Sequence, residues 1–270
     1  MIRTMVQRVR EVLILMFLAL MSKTNGEWKP NHWGRSNCVR QPPRPPLPVP
    51  PVQEENCLSW RVAVEANNVR GWRTVPTQCL SYVERYMIGG QYEKDVSFII
   101  DQILAYADDI TLSADGMDAW VFDVDDTCIS NVFYYKGKRY GCDPYDPSGF
   151  KEWAMRGGCP AVPGMLSLFN ELLNMGFKIF LITGRDEETL AHPTIHNLHN
   201  QGFYNYQKLI MRSVAYKGQS AVAYKSSIRN QIMKEGYRIW GNVGDQWSDL
   251  QGECLGNRTF KLPNPMYFVP

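Results

Sequence analysis

No two cysteines in this sequence stand two residues apart, so the paired spacing of a structural zinc site is missing. No apolar run is long enough to cross a bilayer. The run Val12–Met21 stops at ten residues, where a spanning helix needs about 20. A surplus of positive charge is also lacking. With 29 Lys and Arg against 27 Asp and Glu, and no basic stripe, nucleic acid is a poor partner. No internal repeat recurs, so the chain is not a repeat array.

What is present is enough for a buried core. The 270 residues are 44% hydrophobic and 12% aromatic, which suits one large domain or a domain with a small insert. Residues 1–26 read as a signal peptide. Arg3, Arg8 and Arg10 precede the apolar run, and Thr24 and Gly26 supply small residues for cleavage. A retained anchor or membrane-surface helix is the competing reading. Cleavage after Gly26 would leave 25 basic and 26 acidic residues, a net charge of −1. Residues 27–53 read as a linker: "RQPPRPPLPVPPVQ" holds seven prolines in 14 residues and favours a semi-rigid polyproline II spacer. Seven cysteines fit a secreted protein. The odd number leaves at least one unpaired within the chain. Sequence does not fix connectivity, and the local pairs expected are Cys57–Cys79 and Cys142–Cys159. Asn257, in "NRT", is a glycosylation acceptor.

From Asn56 onward the pattern is globular. Val96, Ile99, Ile100, Ile103, Leu104 and Ala107 form one helical stripe. After Met117, strand and helix alternate. "AWVFDV", "FKIFLIT", "QKLIMR", "YRIWGNV" and "RTFKL" read as strands. "GMLSLFNELLNMG", "PTIHNLHNQG" and "SSIRNQIMKEG" read as helices, the second with Pro193 in its first turn. Such alternation implies an α/β fold, a parallel sheet covered on both faces. Residues 130–163 interrupt it after the first strand. This aromatic-rich segment (Phe133, Tyr134, Tyr135, Tyr140, Tyr145, Phe150, Trp153) reads as a small cap or a miniature core of its own. His196 and His199 are expected on the exposed face of the second helix, with Ile195 and Leu198 facing the core.

Candidate site residues gather at strand ends, where parallel sheets build their sites. Asp123 and Asp125 close the first strand, and Thr183, Gly184 and Arg185 the second. Lys225 precedes or opens the third helix, and Asp245 and Asp249 follow the fourth strand. A carboxylate cluster of this kind suits a hard divalent cation such as Mg²⁺. Asp123 could attack phosphorus, and Asp125 could protonate the leaving oxygen and later activate water. Thr183 could donate to the transferring group, and Lys225 could neutralise it. Lys217 competes with Lys225 for that role. Arg185 is expected to pair with a carboxylate, Arg229 to pack or form an ion pair, and Cys128 to be a small buried side chain.

In their order and spacing, "DVDDT", "LITGR", Lys225 and "GDQWSD" resemble the four motifs of the haloacid dehalogenase superfamily. From "CLSWRVAVEANNVRGWRTVP" to "FKLPNPMYFVP" the chain is similar to the plant secreted acid phosphatases related to vegetative storage proteins. The resemblance implies a Rossmann-like sheet of order 3-2-1-4-5 or an extension of it, with a domain over residues 54–270. It implies a phosphomonoesterase with an aspartyl-phosphate intermediate, with Mg²⁺ held by Asp123, the Asp125 main-chain carbonyl and Asp245. Its substrate would be a small phosphate monoester, with Thr183, Gly184 and Lys225 binding it. The chain would be secreted or vacuolar, with no stable membrane anchor, and a homo-oligomer stays open. A storage glycoprotein with a weak site and a phosphotransferase are the rival readings.

Overall fold

The computed structural model describes residues 56–270; the expected signal peptide, the whole linker and Cys38 lie outside them. Five parallel strands form one sheet: β1 (Asp118–Asp123), β2 (Lys178–Asp186), β3 (Lys208–Arg212), β4 (Arg238–Gly244) and β5 (Arg258–Lys261). Their order is β3-β2-β1-β4-β5, as the resemblance implied. β1 is buried along its whole length, because layers cover both faces, and this is why it reads as an apolar run rather than an alternation.

The pleat sorts its side chains between two cores. Trp120, Phe122, Ile179 and Leu181 enter the larger one. Ala119, Val121, Phe180 and Ile182 enter the smaller, against Tyr224, Ile228 and Ile232 of α8 (Ala221–Lys234). The larger core is closed by α1 (Cys57–Glu65), α2 (Leu80–Ile88), α3 (Gln91–Asp108) and α6 (Met165–Asn174). On α3 the expected stripe is found, with Val96, Ile100, Ile103 and Ala107 buried. Trp120 needs a bare backbone beside it: a Cβ on Gly241 of β4 would lie 2.0 Å from the indole.

Three expectations are corrected. α8 begins at Ala221, not at the Ser226–Ser227 pair, because the Ser220 hydroxyl accepts from Ala223 N at 3.2 Å and caps it there. Lys225 is therefore in the second turn. Likewise α7 (Glu187–Asn200) starts six residues before Pro193. Asp186 caps it by accepting from Thr189 N at 2.9 Å, with Glu187 and Glu188 in the first turn, and Pro193 falls inside. On α7, His196 is exposed and Leu198 buried as expected, but His199 is half-buried and Ile195 is exposed. Third, Cys57–Cys79 is bonded, whereas Cys142 and Cys159 are free thiols. Cys159 is held at the site by Asn131 and Arg185, and Cys142 by the Pro76 carbonyl.

Between β1 and α6 the chain forms α4 (Val132–Gly137) and α5 (Pro147–Met155). It leaves and rejoins through one short antiparallel pairing: Ser130 N donates to Pro160 O at 2.7 Å, and Val162 N to Cys128 O at 2.9 Å. Its aromatics divide. Tyr134, Tyr135 and Tyr140 are buried, while Phe133 and Tyr145 are exposed.

Candidate active site

The carboxyl ends of β1, β2 and β4 open into a cleft of about 510 Å³. Asp123 is the last residue of β1, and Asp245 directly follows β4. Asp249 folds back onto the strand end, and only a glycine permits it: a Cβ on Gly244 would meet the Asp249 side chain at 2.4 Å. Asp123, Asp245 and Asp249 then present carboxylate oxygens all within 4.8 Å of one another. Lys225 rises from α8 between two of them. Its Nζ donates to Asp123 Oδ1 at 2.5 Å and also to Asp249 Oδ1. Burial alone would lower the ammonium pKa, but the two carboxylates hold it above its ordinary value. Lys217 is exposed and takes no part in this contact.

The second aspartate is held differently. Asp125 accepts from Arg185 Nε at 3.0 Å and Nη2 at 2.8 Å, from Asn131 Nδ2 at 2.9 Å and from Thr183 Oγ1 at 3.3 Å. Burial raises its pKa, yet the guanidinium and these hydrogen bonds bring it below the usual carboxylate range. Arg185 is itself fixed by Thr194 Oγ1 at 3.2 Å. Asp126 takes a left-handed conformation, φ 53°, and faces away from the cleft chemistry. Its carboxylate accepts from Asn131 N, Asn131 Nδ2, Ser130 Oγ and Tyr267 OH, the last at 2.8 Å. The three aspartates at the end of β1 are thus met by different main partners, Lys225 for Asp123, Arg185 for Asp125 and Tyr267 for Asp126, with the Asn131 amide shared by the last two, and this is how so much charge is tolerated there.

Asp245 has neutral partners: Gln246 Nε2 at 2.8 Å, Asn264 Nδ2 at 2.7 Å and Thr127 Oγ1 at 3.5 Å. Burial, then repulsion from Asp249 and Asp126, raises its pKa. Asp123 is raised too, chiefly by burial, against the pull of Lys225. Asp123 and Asp245, buried carboxylates whose oxygens lie with those of Asp249 within 4.8 Å of one another, make a donor set that fits a hard divalent cation.

Of the residues singled out from sequence, Asp123, Asp125, Thr183, Gly184, Lys225 and Asp245 come together at the cleft. Arg229 makes no ion pair among the described residues. It donates to the main-chain carbonyls of Asp249, Gln251 and Glu253 at 2.9, 2.7 and 3.1 Å, and so shapes the loop carrying Asp249. Cys128 is buried, its thiol donating to Asp123 O at 3.2 Å, and burial raises its pKa. Asn131, Asn264 and Tyr267 escaped the sequence reading. Asn131 carried a signal, five residues after Asp126 in the same acidic segment; Asn264 and Tyr267, more than 130 residues further on, carried none.

A Rossmann-like sheet with buried aspartates at its carboxyl edge defines a hydrolase of the phosphate-handling kind. The family model described as HAD superfamily, subfamily IIIB (Acid phosphatase) matches residues 50–270. The chain belongs to that family. It is 45% identical over 216 residues to acid phosphatase 1 of Solanum lycopersicum, covering 80% of this chain and 84% of that one. It is 38% identical over 221 residues to vegetative storage protein 1 of Arabidopsis thaliana, covering 81% of each. Among solved structures, the class C acid phosphatase from Bacillus anthracis shares the fold. Its TM-score is 0.59 at 18% identity, over 71% of this chain and 85% of that one.

Proposed function

We propose that this acid phosphatase works through an aspartyl-phosphate on Asp123, with Mg²⁺ as cofactor. The observation that carries the reading is the single ammonium of Lys225 joining Asp123 to Asp249 at the cleft floor. The ammonium opposes the upward pull of burial on Asp123 and so favours its nucleophilic carboxylate form, and the same cation can take an incoming phosphoryl oxygen. Asp123 Oδ attacks phosphorus, and the bond to the ester oxygen breaks. The leaving alkoxide takes a proton from Asp125; water, giving its proton to Asp125, then attacks phosphorus, and the bond from phosphorus to Asp123 breaks to release phosphate and restore the carboxylate. Arg185 favours the carboxylate form of Asp125, the form required in the second half. The proton needed in the first half is more available in acid. Thr183 would turn its hydroxyl from Asp125 to the phosphoryl group, with Gly184 leaving room beside it. Asp123, Asp245 and the Asp125 carbonyl would hold Mg²⁺. When bound, that ion supplies charge neutralisation at the phosphoryl oxygens.

Localisation follows the same reading. The chain would enter the secretory pathway through residues 1–26, with 27–53 as spacer and 54–270 as the phosphatase domain, 130–163 forming its cap. Asn257 is exposed at the start of β5, open to glycosylation. No described helix is long and apolar enough to cross a membrane.

Borohydride trapping tests the mechanism. During turnover of a phosphomonoester, reduction of an acyl phosphate would convert residue 123 to homoserine, detectable by peptide mass. The Asp123→Asn protein should show neither this product nor phosphate release. Turnover by Asp123→Asn at the wild-type rate would sink the reading.

A further inference from the structure

Five cationic side chains line the cleft: Arg73, Lys151, Arg185, Arg212 and Lys225. Lys225 is matched by Asp123 and Asp249, and Arg185 by Asp125. Arg212 has no such match among the described residues. It ends β3 and lies in register with Asp186 of β2. Its guanidinium rests on the Tyr224 ring, 4.8 Å from the centroid. The Tyr224 hydroxyl in turn donates to the Thr183 carbonyl at 3.1 Å. Arg212 therefore stands one aromatic ring from the phosphoryl pocket. Its Nε is buried and has no hydrogen-bond partner, which is costly for a charged donor unless a ligand supplies one.

Lys151, exposed on α5, lines the same cleft from the cap and makes no ion pair among the described residues. Asp186 lies in register with Arg212 and interacts electrostatically with Lys151, but its carboxylate is committed to Thr189, from N at 2.9 Å and from Oγ1 at 2.6 Å. Those bonds, with Lys151 and Lys217 nearby, hold Asp186 below its ordinary value. Lys151 and Lys217 thus act on a carboxylate already committed to its cap, which leaves Lys151 without a paired acid at the cleft.

We propose that Arg212 and Lys151 form a second anion subsite, and that the preferred substrates are phosphate monoesters whose leaving group carries a carboxylate or a second phosphate. The proposal rests on the phosphatase reading above. A fork of guanidinium donors suits either oxyanion, and a lysine on a helix across the cleft adds a point charge from the other side.

The test compares 3-carboxyphenyl phosphate with its neutral partner, 3-carbamoylphenyl phosphate, on the full chain with Mg²⁺. Wild type should favour the carboxylate by about fivefold or more in kcat/KM, and added salt should shrink the ratio. Arg212→Gln and Lys151→Gln should each bring the ratio toward one, while Arg212→Lys and Lys151→Arg keep most of it. Lys151 is exposed, so its variant carries the test if Arg212→Gln fails to fold. A wild-type ratio of one or less, or a ratio unchanged in both variants, overturns the subsite. Failure to hydrolyse either ester would count against the phosphatase reading instead. The subsite would then be judged by calorimetry of the two esters on Asp123→Asn protein, where equal affinities overturn it.

Discussion

At the scale of residues, the choice between Lys225 and Lys217 has a measurable consequence. Lys225→Met removes a charge-assisted contact worth roughly 1.5–3 kcal/mol or more in a desolvated site. The expected loss is about ten- to more than a hundredfold in kcat/KM. Lys217→Met should stay within a few-fold of wild type, because its side chain is exposed. Paired kinetics decide, and the reverse ranking would transfer the role. Asp245 offers a second case. Its partners are neutral amides and a hydroxyl, so Asp245→Asn keeps the shape and removes the charge a cation needs. The Mg²⁺ concentration for half activity should rise at least about tenfold, with a parallel loss of Mg²⁺ affinity by calorimetry. Unchanged affinity would move the metal elsewhere.

At the scale of elements, the Cys57–Cys79 bond ties α1 to the turn before α2 across 22 residues. Such a loop is worth about 3 kcal/mol. Replacing both cysteines by alanine should lower Tm by roughly 6–12 °C, as read by scanning calorimetry, with the ester preference of the cleft retained. The five strands were legible in the sequence, because buried parallel strands are apolar runs, while their order came from the family resemblance that the motifs at their ends carry. Helix starts were less legible. Ser220 and Asp186 cap by hydrogen bonds to N–H groups three residues on, and the sequence offers rival serines and a proline as alternatives. Cys142 and Cys159 looked like partners from spacing alone, yet the cap directs one thiol to the Pro76 carbonyl and the other to Arg185. The partners of Asp126 and Asp245 in the last turns of chain were illegible, since no local pattern announces a contact at such separation.

At the scale of the whole molecule, acid sensitivity and assembly can both be read from long-range contacts. Asp118 opens β1 and accepts from Arg238 Nε at 2.8 Å, Trp240 Nε1 at 2.7 Å and Ser113 N at 2.7 Å. The Arg238 contact, first, and then the Trp240 and Ser113 bonds hold its carboxyl below the ordinary value despite burial. The unfolded chain therefore binds this proton more readily than the folded one. The pair's contribution is intact above the unfolded value of about 3.9 and fades as pH falls through the lower folded value. Urea melts between pH 5 and 3 should show stability falling, and Asp118→Asn should flatten that fall; an equally steep fall would place the titration elsewhere. The long contact from Tyr267 to Asp126 bears on how the enzyme comes into being. Those partners are 141 positions apart, and Asn264 reaches Asp245 from the same closing segment. A chain emerging from the ribosome has its whole sheet before it has either contact. The loop after Asp123 thus stays unfastened until residues 264–267 are made. A protease that clipped this stretch ahead of Asn264 would silence the enzyme without touching Asp123, Asp125 or Lys225.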